Sequence, residues 1–317
     1  MNNNIVIIIL IALISLFILL ILEKIIDFNP FKNLIKVSEN FVDKIGGNEL
    51  KLDKNTNSTN PLLKVNTKPK NKNSNSKKHK NLVFTSAGDN TKFDELWIGP
   101  NQNYDVMVVY YGKNDKILNK YSQKVDYILQ RKGSKFQNFH YIYENHKDIL
   151  DKYERFFILD DDIIFGVDEI NEMFRLSKKY NFWICGPTFK ITPECKISHE
   201  ITKTKNKKQF RYVNFIEVNV PLFNRKALDN LMKYYDPVLI GWGIDYIFIW
   251  ANGREHKDKY ALIDAITCIN PQDDTKGGKR ELHLLKNAHQ RAAEYQKFAN
   301  KYGIKDIPAK NWSIVKL

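Results

Sequence analysis

One stretch constrains the fold more than any other: Phe156-Phe157-Ile158-Leu159-Asp160-Asp161-Asp162-Ile163-Ile164-Phe165. Four apolar residues run directly into three carboxylates. Such a run, bounded by polar residues, is the pattern of a strand buried on both faces of a parallel sheet. Open α/β sheets bind ligands beyond the carboxyl ends of their strands, which is where the acids fall. If extended geometry continues, Asp160 and Asp162 point to one side and Asp161 to the other. Two carboxylates on one side repel unless a cation lies between them, and hard divalent cations suit that position. The other account is a solvated acidic turn after a core strand.

The surrounding pattern predicts an α/β domain over residues 81–280, with a mostly parallel sheet flanked by helices. Expected strands are 81–85, 105–111, 139–143, 182–185 and 260–269, with a β-rich stretch at 211–220. Expected helices are 119–131, 145–153, 168–180, 225–235 and one opening at Gly241-Trp242-Gly243-Ile244-Asp245. Residues 281–317 read as a charged, helical tail.

The net charge of +14 resembles a nucleic-acid signal, but its distribution argues against that partner. Residues 46–80 carry nine Lys and two acids, so half of the excess lies in a Lys/Asn/Ser/Thr linker that cannot build a core. Ile5 to Leu22 is a run of 18 uncharged, nearly all aliphatic residues. As a helix it spans roughly 27 Å, enough for a single membrane anchor. Residues 23–45 then form a juxtamembrane segment. Lys24, Lys32 and Lys36 after the anchor put the body on the cytoplasmic side. Many anchored chains of this layout face the lumen instead, so the side stays open. Three scattered cysteines make neither a disulfide framework nor a zinc site.

No glycine-rich phosphate cradle occurs. A bound diphosphate would therefore need a metal and basic side chains. In Gly241-Trp242-Gly243-Ile244-Asp245, the indole is either core or a platform for a sugar. Asp245 is either a complement to the helix dipole or a general base for an acceptor hydroxyl. His199 is either solvated or functional. Arg211 makes either a phosphate contact or a salt bridge to Glu217.

Five motifs occur in order: Thr85 to Asp89, Phe156 to Asp162, Ser198-His199-Glu200-Ile201-Thr202, Arg211 to Val218, and Gly241 to Asp245. Over roughly residues 81–272 they resemble the family catalogued as domain of unknown function 707, grouped with glycosyltransferases of the GT-A fold. The resemblance implies a nucleotide-sugar site with a D-x-D motif at Asp160 and Asp162, and Mn²⁺ or Mg²⁺ as cofactor. Asp161, Trp242, His199 and Arg211 are the further candidate binding residues, with Trp242 shaping the acceptor pocket. Gly-Trp-Gly-x-Asp is also similar to the acceptor-side motif of metal-dependent galactosyltransferases, which implies Asp245 as base. The family has a His shortly after the late strand. Here Asn270 stands there, an uncharged candidate third metal ligand.

The sequence thus predicts a membrane-anchored glycosyltransferase acting on a nucleotide-sugar donor and an unspecified glycan, protein or lipid acceptor. Two alternatives stand beside it. One is another metal-dependent phosphate-ester enzyme. The other is a non-catalytic membrane protein that keeps the fold.

Overall fold

The computed structural model describes residues 64–65, 79–275, 281–285 and 288–317. The expected anchor at 5–22, the juxtamembrane segment at 23–45 and most of the linker at 46–80 lie outside these. Among the described residues, no helix is long and apolar enough to cross a membrane.

The run at Phe156 forms β5 (Arg155–Ile158), buried throughout. Its alternation feeds two cores. Phe156 and Ile158 join one cluster, while Phe157 and Leu159 join the other. On the first face lie α3 (Lys135–Asn145), α4 (Lys147–Leu150), α6 (Arg225–Met232), α7 (Ile244–Ala251) and α8 (Arg291–Tyr302). On the second lie α1 (Phe93–Leu96), α2 (Asp115–Ser122) and α5 (Val167–Lys179). Both faces of the strand are covered, as the apolar run predicts. Each fully buried Phe or Ile here contributes on the order of 1.5–3 kcal/mol through burial.

The remaining strands are β1 (Lys64–Val65), β2 (Asn81–Ala87), β3 (Asp105–Tyr110), β4 (Tyr127–Gln130), β6 (Ile184–Phe189), β7 (Gln209–Val213), β8 (Leu222–Asn224), β9 (Tyr260–Cys268) and β10 (Asn311–Lys316). They form one sheet in the order β1-β4-β3-β2-β5-β8-β6-β9-β7-β10. The β4-β3-β2-β5 block is parallel, as is β6 with β9. However, β8 enters antiparallel to both β5 and β6, and β1, β7 and β10 pair antiparallel with their neighbours. The sheet is therefore mixed, which corrects the mostly parallel expectation. A three-residue strand such as β8 is too short to declare its direction in sequence.

Four further expectations change. Residues 127–130 are strand β4, where a helix was expected over 119–131. Residues 139–143 lie within helix α3, where a strand was expected. The capping box of Ser134 and Gln137 starts that helix, and Phe136, Phe139 and Ile142 recur at helical spacing toward the first core. At the carboxyl end, β10 joins the sheet edge beside β7, so the tail is part of the same sheet. Within the expected linker, Lys64 and Val65 pair with β4.

Candidate active site

The chain turns immediately after β5. Leu159 N–H donates to the Phe84 carbonyl at 3.0 Å, and Asp160 N–H donates to the Asn219 carbonyl at 3.0 Å. Ile163 N–H then closes a turn onto the Asp160 carbonyl at 3.3 Å. Because extended geometry stops here, the alternation expected across the three acids does not hold. Asp160 and Asp161 both line a surface cleft, and Asp162 is not among its lining residues.

The cleft opens where the sequence rule for α/β sheets places it. Ser86 from the end of β2, Tyr111 after β3 and Asp160 after β5 share its wall. Asp161 braces that end of the sheet. Its carboxylate accepts from Gly88 N–H at 2.9 Å, and its carbonyl accepts from Lys92 N–H at 2.8 Å. The Thr85–Asp89 motif is thereby tied to the acidic turn.

Gly241, Trp242 and Arg291 line the same cleft. Trp242 is 53% exposed, so the core account of this indole is set aside. Gly241 and Gly243 hold φ of +71° and +75°, a left-handed backbone that throws the intervening indole outward. The guanidinium of Arg291 stands 5.9 Å from the Trp242 ring centre.

Asp245 follows in the first turn of α7, three residues after Trp242; it is 5% exposed and is not among the cleft's lining residues. Burial, reinforced by the nearby Glu217 carboxylate, pushes its carboxyl up to about 7. The Tyr246 N–H, donating to Asp245 Oδ1 at 3.0 Å, works in the other direction. His199 Nδ1 lies 2.7 Å from Glu217 Oε2, and that hydrogen bond raises the imidazole above its ordinary value. His199, Glu217 and Asp245 thus form one polar cluster. It borders the cleft through Ser198 and Val218, which line it.

Lys135, unremarked in the sequence, completes the acidic wall. As the first residue of α3 it places its ammonium 2.9 Å from Asp160 Oδ1. It also donates to the carbonyls of Val218 at 2.7 Å and Asn219 at 3.2 Å. Burial lowers its affinity for the proton, and Asp160, Asp162 and Glu217 oppose that shift. A lysine directly after a capping serine was the available signal. Its partner, 25 positions away, was not legible.

Arg211 is not at the cleft. It is 1% exposed and donates in bidentate fashion to Asp264, from Nε at 2.7 Å and Nη2 at 3.0 Å. Asn311 and the Lys203 carbonyl take further guanidinium donors. Both accounts open in the sequence, a phosphate contact and a bridge to Glu217, give way to this core ion pair.

The expected metal ligands fit a resident divalent ion poorly. Asp160 already carries the Lys135 ammonium, and Asp162 lies outside the cleft wall. Asn270 lines the cleft, but its side-chain amide donates to the Lys196 carbonyl at 3.3 Å, while its own carbonyl accepts from Lys196 N–H at 2.7 Å. Asn270 therefore serves to seat Lys196.

No protein-family model matches the chain, and no curated protein does. Among solved structures it is similar to residues 1–349 of TarS from S. aureus, at 11% identity over 70% of this chain and 72% of that one, with a TM-score of 0.45. The same TarS fragment in complex with UDP-GlcNAc is 12% identical over 70% and 73%, with a TM-score of 0.42. A197 from STIV is 13% identical over 62% and 87%, with a TM-score of 0.37.

Proposed function

We propose that the chain is a glycosyltransferase of the GT-A kind, anchored to a membrane by residues 5–22, that transfers a sugar from a nucleotide-sugar donor to an acceptor hydroxyl. One observation carries the reading. A single cleft at the carboxyl ends of parallel strands joins an acidic turn, basic side chains and an outward-facing indole. Lys196 and Arg291 suit a diphosphate. Trp242 offers a flat apolar face to a sugar ring. The ordered motifs that resemble domain of unknown function 707 agree with this assignment.

In this reading the donor lies along the Ser86–Asp161 wall, with its sugar toward Trp242. Asp245 takes up the proton of the acceptor hydroxyl as the new bond forms. A carboxyl poised near 7 holds a proton well enough to accept one and loses it readily afterwards. The Glu217–His199 pair lies beside it and tunes that balance.

A thermal-shift panel tests the assignment. Uridine and guanosine diphosphates and their sugar conjugates should raise the melting temperature, and mononucleosides should not. A chain stabilised only by inorganic phosphate would instead fit a phosphate-ester enzyme.

A further inference from the structure

The wall on which a D-x-D motif would seat a metal already holds a positive charge of its own. Lys135 reaches Asp160 Oδ1 at 2.9 Å, with side chains only 10% and 21% exposed. Carbonyls from 218 and 219 complete the ammonium's hydrogen bonds at 2.7 and 3.2 Å, and that of Ile158 lies at 3.3 Å. These carbonyls belong to the strand end and to the segment before β8, so the ammonium is held by backbone on two sides. A metal could take this carboxylate oxygen only by displacing an ammonium with every N–H satisfied. Two more cations line the same cleft. Lys196 is seated by Asn270 and paired with Asp273, and Arg291 lies above Trp242. Among the described lining residues, three cations face the two carboxylates Asp160 and Asp161.

We propose that Lys135 is the resident cation of the donor site, so that a nucleoside diphosphate binds this cleft without a divalent metal. This deepens the glycosyltransferase reading and rests on it. Lys135 neutralises Asp160 at the position a metal would occupy. With its donors committed to protein oxygens, it acts on the diphosphate through charge. Direct phosphate contacts fall to Lys196 and Arg291. A site built this way tolerates chelators, and its acidic motif serves to hold a lysine.

The test is calorimetric titration of the full-length chain with UDP and with GDP, in excess EDTA and then with Mn²⁺. The inference expects the tighter of the two nucleotides to bind with a Kd that changes by less than about twofold between the two conditions. Lys135→Met should weaken binding in EDTA by about tenfold or more, and Mn²⁺ should restore it, because Asp160 then becomes available to the ion. The double variant Lys135→Met/Asp160→Asn removes both charges, so it should fold like the wild type and show no rescue by Mn²⁺. Wild-type binding that appears only with Mn²⁺ would overturn the inference and leave the glycosyltransferase reading standing. Absence of binding by either nucleotide in both conditions would overturn that reading, and this inference with it. The wild-type comparison decides the matter even if Lys135→Met fails to fold.

Discussion

His199 Nδ1 and Glu217 Oε2 stand 2.7 Å apart beside the buried carboxyl of Asp245, so an imidazole and two carboxyl groups share one small volume. Asp245 holds its proton up to about 7, against an ordinary value of 3.8. A raised carboxyl favours the folded state only while protonated. Its contribution is fully present below about pH 4 and is lost progressively as pH rises through about 7. Asp245→Asn should therefore flatten this part of the stability profile, and denaturant midpoints measured from pH 4 to pH 8.5 check it. A variant whose profile falls as steeply as the wild type's would show that Asp245 is not the group responsible.

The same substitution separates binding from chemistry. Asp245→Asn should leave nucleotide-sugar affinity unchanged while lowering transfer by about 10²–10⁴-fold, the usual range for losing a general base. Wild-type transfer should rise with pH through about 7 as Asp245 loses its proton. Initial rates and equilibrium binding on one preparation check both statements, and undiminished turnover would return Gly241–Asp245 to a structural role.

Arg211 and Asp264 are 1% and 0% exposed, so removing one charge strands the other. Arg211→Ala should destabilise the fold by about 3–5 kcal/mol. Urea denaturation measures this. Nucleotide affinity of the fraction that remains folded should be unchanged, because the guanidinium does not line the cleft.

Gly243 caps α7 at φ +75°, and a Cβ there would lie 2.2 Å from the Tyr295 ring. The backbone conformation alone costs a residue with a side chain about 1–2 kcal/mol. Gly243→Ala should exceed that, because Tyr295 is itself buried and hydrogen-bonded to Asp306 at 2.6 Å. The contrast is Trp242→Ala, next in the chain. At 53% exposure it should shift stability by less than about 0.5 kcal/mol while weakening sugar-dependent binding. Thermal melts of the two variants side by side check the pair.

What the sequence disclosed tracks how local each signal was. Phe156–Leu159 announced a buried strand because its neighbours along the chain were all apolar. The acids after it marked the ligand end of the sheet because that rule depends only on strand direction. Trp242 between two glycines was legible for the same reason. Partners distant in sequence were hidden. Lys135 with Asp160, Arg211 with Asp264, and His199 with Glu217 are joined by topology, and nothing near any one of them names the other. Phe139-His140-Tyr141-Ile142-Tyr143 read as a strand because its aromatic and β-branched content favours one. The capping box and packing against the first core overrode that preference.

The cleft beside Asp160 is proposed to activate a nucleotide sugar. Its most direct test is release of nucleoside diphosphate from a panel of nucleotide sugars by the full-length chain, without an added acceptor. Glycosyltransferases hydrolyse their own donor slowly, so one nucleotide sugar should be turned over above background, and Trp242→Ala and Asp160→Asn should each reduce that rate. If no nucleotide sugar is hydrolysed while the same preparation remains folded, or if hydrolysis is indifferent to both substitutions, the cleft is not a sugar-transfer site.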